Sequence, residues 1–442
     1  MNEESRSDAL RKFGAMLPLL AQKLSLHRVL GGAFLLRGFS LVTGLVLTLL
    51  LGRYFGAAAT GTYALITQTT TFIVTIGLLG LDLSLVRHLA RPKRNVATAV
   101  FLRIMGLSGA LMLCLVLAIL LGGDNVWSGL FGDVIPREFT TVICVLLLIR
   151  GLHQTLCGFL HSQKRIALSL MIGLLAVPFA AVCALLSGLA QDVHELLWAT
   201  AASGFVCMLW ALWASTKHLS NGQDAIRVSM RQVLSSSLPL WGSLLTLVMG
   251  EWYALAVTAR MLSVVDAGVF RVGAQIAAPL SVVSGTITSV YMPQISGAFH
   301  AGDRQSAARL ARTAVRMSAV LALPVAVGII IVTPFLLPFI GSEFEAAMPV
   351  VVTLLIGQFL IALSGPCGLV LAMSGNEKVN LAIAIAGIAC LLVAAPVAAT
   401  LAGIHGVAIS VAAVLVMRNV AAYCYLRYKV GIEVWSGRAM PT

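Results

Sequence analysis

The string LGGAFLLRGFSLVTGLVLTLLLG, residues 30–52, runs directly into RYFGAAATGTY, residues 53–63. The first carries one charge, Arg37, in 23 residues, and about 20 mostly apolar residues are what an α-helix needs to cross a bilayer. A barrel strand is half that length and alternates apolar with polar residues, a pattern this string lacks. The same reading repeats along the chain. Of 442 residues, 59% are apolar and only 11% charged, with a mean hydropathy of +0.96, whereas a soluble domain carries roughly a quarter charged residues. Apolar stretches near 30–52, 62–86, 98–122, 138–160, 166–189, 195–215, 234–260, 267–292, 313–340, 348–373, 378–401 and 404–426 predict twelve spans. The expected fold is an all-α polytopic membrane protein.

An even number of spans puts both termini on one side. The loops on that side hold 23 of the 30 Lys and Arg residues, so the positive-inside rule predicts cytoplasmic termini. The net charge of +13 is accounted for by this bias and by attraction to anionic headgroups, and nucleic acid is not an expected partner. Residues 1–29 read as a cytoplasmic segment whose stretch Asp8 to Leu26 is amphipathic and broken by Pro18, suited to lie on membrane lipids. Arg304, Arg309, Arg312 and Arg316 read as a second headgroup-facing strip. Eight cysteines lie in apolar stretches with no CxxC unit, the pattern of small core hydrophobes. No removable signal peptide is expected.

The residues that follow the quoted span recur. Arg53, seven residues, Gly61, Thr62, Tyr63 matches Arg260, seven residues, Gly268, Val269, Phe270, at a constant offset of 207. This predicts two six-helix bundles, 30–215 and 234–426, joined by a cytoplasmic linker, 216–233, and followed by a tail, 427–442. Six spans per half makes the repeats parallel, with a ligand site between them near the midplane.

No Walker A sequence, HExxH motif or metal-ligand spacing of histidines occurs, so no cofactor is expected, and without a large catalytic loop neither is an enzyme. Charges inside spans cost on the order of 2.5–3.5 kcal/mol at a helix centre and so mark function. The candidates are Arg37, Arg150, Arg418, Arg271 and Arg260 against one anion, Glu251. Arg260 and Arg271 could also snorkel to the outer headgroups, and the other three lie within partial reach of the inner ones. Arg150, His153, Gln154, Cys157 and His161 follow one helical stripe; Arg37, Ser40, Gly44 and Thr48 follow another, and Arg271 and Gln275 begin a third. An Arg within each stripe favours a wet cavity over simple helix contact. Thr67 to Thr71 would suit a hydroxyl-rich ligand. Glu251 is nine positions from Arg260, on the opposite face, so it either pairs with an Arg of another helix or takes up a coupling ion, H+ or Na+. Excess positive charge predicts an anionic substrate, and Arg geometry matches a phosphate or pyrophosphate.

Leu51-Gly52-Arg53-Tyr54-Phe55-Gly56 with Gly61-Thr62-Tyr63, then Gly77-Leu78-Leu79-Gly80-Leu81-Asp82 and Leu85-Val86-Arg87, resemble the amino-terminal region of the Wzx-type polysaccharide-biosynthesis flippases of the MATE-like superfamily. In the second half Asp266-Ala267-Gly268-Val269-Phe270, Tyr291-Met292-Pro293 and Gly302-Asp303 resemble the corresponding segment. The resemblance implies a V-shaped transporter that flips undecaprenyl-pyrophosphate-linked oligosaccharides by alternating access through a cationic cavity. A polysaccharide polymerase and a chain-length regulator are then expected partners. Drug-exporting relatives commonly hold an acidic residue in the first span where this chain has Arg37, which weighs against, without removing, the alternative of a proton- or sodium-coupled multidrug antiporter.

Overall fold

The computed structural model describes residues 3–89, 96–122, 135–220, 222, 229–365 and 367–439, with only the backbone over most of 3–34. The amphipathic face expected over Asp8 to Leu26 and residues 221 and 223–228 of the linker lie outside the described residues. Among those described, nine helices are long and apolar enough to cross a membrane, so the chain is a multi-pass membrane protein. Two of the nine are each a pair of spans joined across a kink, and the helix Met230–Met261, of 32 residues, adds one more.

Helix α1, Glu3–Leu78, bends at Gly56 into arms α1a (35–55) and α1b (57–78). Short α2, Leu81–Leu89, prolongs α1b beyond a break at Leu79 and Gly80. Then come α3, Thr98–Gly122, α4, Phe139–Ser162, α5, Ile166–Leu186, with a π turn over Met171–Ala176, and α6, Val193–Thr216. The second half holds α7, Met230–Met261, α8, Val264–His300, and α9, Arg304–Ile340. After these α10, Met348–Ser364, and α11, Cys367–Met373, form one span interrupted at Gly365. The last, α12, Glu377–Tyr425, breaks at Ala402 and Gly403 into α12a (377–401) and α12b (404–425). The twelve expected spans are therefore present. The basic strip from Arg304 to Arg316 forms the first part of α9, with Arg304, Arg309 and Arg316 exposed.

The apolar packing shows how the halves meet. The largest buried cluster draws on both, from Ala57, Ala64 and Leu65 to Ala267, Phe270 and Val350, at the end of the molecule away from the termini. Toward the end carrying the termini it gives way to two separate clusters. One lies around Leu85, Phe101, Phe159 and Cys207, and the other around Met292, Ala308, Val315 and Leu426. A hairpin of β1, Ile432–Glu433, and β2, Arg438–Ala439, seals the second with fully buried Val434.

The repeat accounts for the closure at the far end. A Cβ on Gly61 would collide with the Val264 carbonyl oxygen, and one on Gly268 with that of Ala57. Ala57 and Val264 are themselves 207 positions apart, so α1b and α8 cross reciprocally on a pseudo-two-fold axis that only glycine at both repeat positions permits. Around this crossing, Gly56, with φ of +81°, turns the chain sharply. The freed Ala57 N–H donates to Glu343 Oε1 at 2.6 Å, and Arg53 Nη1 donates to the Phe339 carbonyl at 2.7 Å with its guanidinium 5.2 Å from the Phe339 ring.

Candidate functional site

Below the glycine crossing, α1a, α1b, α4, α5 and α8 enclose a cavity of about 160 Å³ lined by Gly44, Thr48, Tyr63, Thr67, Gln68, Thr71, Arg150, Pro178 and Arg271, among others. A second cavity of about 240 Å³ shares Leu47, Tyr63, Arg150 and Pro178 with it and adds His153 and Thr200. Both are in the interior of the helical assembly, so water and a polar ligand can meet charges there that lipid would exclude.

Arg150 is held by α1b. Its Nη1 donates to the Thr67 carbonyl at 2.9 Å and to Thr71 Oγ1 at 2.7 Å. Thr67 and Thr71 follow i, i+4, so the threonine-rich run serves as a cradle on one face of the helix. With Nη1 committed, three of the five guanidinium N–H donors remain for a ligand. Arg271, from the other half, finds no hydrogen-bond acceptor among the described residues; Glu251 and Tyr63 lie within its electrostatic reach. Glu251 is exposed on α7 and accepts from Gln68 Nε2 at 3.1 Å. It thus spans the halves without a direct partner in Arg260. Tyr63, which carries the repeat's aromatic position, shares a hydrogen bond of 3.2 Å with Thr200.

The other expected residues are placed as follows. Gln275 Nε2 reaches α1a beside Gly44, where a Cβ would stand 3.2 Å away. His153 is buried behind Arg150, with Cys157 Sγ 3.6 Å from its Nε2. Gln154 turns away from the cavity and donates to Asp82 Oδ2 at 2.8 Å. Arg37 is exposed two turns from Gly44 on the same stripe, within electrostatic reach of His161. Arg260 is exposed at the far end of α7. Arg418 lies in the second half, its stem packed over Gly387 between α12a and α12b, apart from Arg150 and Arg271. The residues sequence reasoning passed over are Tyr63, Asp82 and Glu343. Tyr63 had a signal in its repeat position. The two acids sit at span ends, where a charge reads as interfacial.

The comparisons with known proteins agree with this architecture. The polysaccharide biosynthesis protein family matches residues 50–349. No curated protein matches the sequence significantly. Among solved structures, an inward-facing multidrug resistance MATE family transporter of the MOP superfamily superposes with a TM-score of 0.73 at 13% identity, covering 88% of this chain and 94% of that one. The lipid II flippase MurJ in an inward closed conformation gives 0.70 at 12% identity, covering 89% and 87%. A MOP superfamily transporter from Pyrococcus furiosus, described as having a binding pocket of reverse polarity, gives 0.64 at 13%, covering 91% and 94%. The fold is one that these transporters share, and the chain belongs to the polysaccharide biosynthesis protein family.

Proposed function

We propose that this protein is a flippase for an oligosaccharide linked through a diphosphate to undecaprenol, moving it from the cytoplasmic to the outer leaflet by alternating access. The observation that carries the reading is that Arg150 from one half and Arg271 from the other line a single cavity. A diphosphate bridging them would be bound by guanidinium donors that Arg presents bidentately, while Tyr63, Thr67 and Gln68 offer hydroxyl and amide groups to the sugars. Glu251 is then the internal anion that the diphosphate displaces from the neighbourhood of Arg271. A proton or sodium ion taken up at Glu251 would lower that competition and couple ion movement to loading. A drug antiporter of cations is supported less well, because two guanidiniums repel such cargo.

The positive-inside count supports placing the termini in the cytoplasm. With that orientation the glycine crossing is the outer closure, and the separated clusters face the cytoplasm, where a lipid-linked glycan is assembled. Arg37 then stands at the cavity's inner approach, Arg260 at its outer one, and Gln275 at the contact between α1a and α8. On the outer face the product would pass to a polysaccharide polymerase and chain-length regulator. Arg150→Gln should abolish surface polysaccharide while leaving folded protein in the membrane. Normal polysaccharide with that variant would overturn the assignment.

A further inference from the structure

A carboxyl that the transport reading does not use, Asp82, is held by Gln154, one helical turn along α4 from Arg150. Asp82 is only 9% exposed and follows the break at Leu79 and Gly80, whose φ values are +49° and +73°. Room for it is made by Gly158 of α4, where a Cβ would stand 2.7 Å from the Asp82 carbonyl oxygen and 3.1 Å from its Cβ. Oδ2 accepts from neutral Gln154, whereas Oδ1 is buried with no side-chain partner, as is Ser84 Oγ two residues on. An ionised carboxylate offers about four acceptor sites; this one has Gln154 as its one side-chain donor, besides the backbone N–H groups of Asp82 and Leu83. A helix-capping or purely packing role would be served as well by Asn, which keeps the bond to Gln154 and removes the buried charge.

The helices packed against α2 are α4 and α7. On α4, which presents Gln154 and Gly158, the ionisable groups are Arg150 one turn away, His153, Cys157 and His161. On α7, which presents Ser237 and Trp241, they are Arg231 in the first turn and Glu251, Tyr253 and Arg260 toward the far end. Arg87 and His88 end α2 itself. The side-chain hydrogen bond Asp82 accepts comes from none of them.

The break is also a contact between halves. A Cβ at Gly80 would lie 2.8 Å from the Ser237 carbonyl oxygen and 2.9 Å from Trp241 Cβ, and Trp241 Nε1 donates to the Thr75 carbonyl at 2.7 Å. Rocking of the two halves must alter this joint. Interrupted membrane helices recur where coupling ions bind, because the broken turn leaves carbonyls without intrahelical partners.

We propose that Asp82 is a proton-binding group of this transporter, and that its protonation controls the docking of the α1b–α2 break on α7. Gln154 acts as its positioning residue and links it, through one turn of α4, to Arg150. Proton release and anion release are thereby tied to the same helix.

The test needs no substrate. Purified full-length protein in lipid nanodiscs is titrated while infrared difference spectra follow the carbonyl stretch of a protonated carboxyl. In parallel, a single cysteine at Thr60 in a cysteine-free background reports closure of the far end through its labelling rate. The expected result is a protonated-carboxyl band that shifts when aspartate, but not glutamate, is isotopically labelled. It is lost in Asp82→Asn, retained in Glu251→Gln, and accompanied by loss of the pH response of labelling in Asp82→Asn. The isotope arm uses the unmutated sequence around Asp82 and so stands if Asp82→Asn does not fold. A band that follows the glutamate label, or a pH response surviving in Asp82→Asn, would each overturn the proposal. The outcome is independent of what the cavity carries, so failure here leaves the flippase reading to its own experiment.

Discussion

Replacing Gly61 by Ala tests the outer closure through one methyl group. The added Cβ would collide with the Val264 carbonyl oxygen and stand 2.9 Å from the Gly268 nitrogen, where ordinary contact begins near 3.4 Å. The partner atoms are backbone, so they cannot swing aside, and α1b and α8 must part by at least half an ångström along that contact alone. Overpacking of this kind costs about 1–3 kcal/mol, and here the cost falls on the closed arrangement only. The equilibrium should therefore move about 5- to 150-fold toward opening at the far end. The assay is the rate at which a membrane-impermeant maleimide labels a cysteine at Thr60, which is 1% exposed in the closed form. Labelling should rise by that factor, Gly268→Ala should act alike, and the double variant should add less than the sum, since either methyl already parts the helices. Unchanged labelling in well-folded Gly61→Ala would refute the assignment of this crossing as the closure.

Glu343→Gln replaces a charge-assisted acceptor of the Ala57 N–H by a neutral one, a loss of about 1 kcal/mol, and should raise the same labelling rate about fivefold. Glu251→Gln removes the internal anion near Arg271 and should tighten binding of a diphosphate lipid severalfold, measured by titration in nanodiscs. Arg418→Met keeps the apolar stem over Gly387 and should change that affinity by less than about twofold, because Arg418 lies outside the cavity; a large loss would move the site into the second half.

Much of this architecture is written in local pattern. Span length and charge bias are one-dimensional properties, so the twelve spans follow from the string alone. The Arg53/Gly61 and Arg260/Gly268 repeat also gave the pseudo-symmetry, and the structure adds that the two glycines touch. The stripe of α4 correctly set Arg150 on a polar face, but periodicity says which residues share a face and not which neighbour that face meets. Gln154 and Arg150 are one turn apart, yet one serves Asp82 and the other the cavity. Likewise Arg37 and Arg418 share with Arg150 a similar depth from the terminal end, while Arg418 meets Gly387 of α12a. Asp82 and Glu343 escaped notice because their meaning depends on breaks at Gly80 and Gly56, and a left-handed glycine inside an apolar run leaves little trace in hydropathy.

The central claim is that Arg150 and Arg271 together receive a lipid's diphosphate. It is tested most directly by measuring the affinity of the purified protein in nanodiscs for undecaprenyl-diphosphate oligosaccharide, with the undecaprenyl carrier lacking phosphate as the control. Each charge-assisted contact is worth about 1.5–3 kcal/mol, so Arg150→Gln and Arg271→Gln should each weaken binding of the diphosphate lipid by about tenfold or more, and leave the control unaffected. Equal affinity of both variants and the parent protein for the diphosphate lipid would contradict the account.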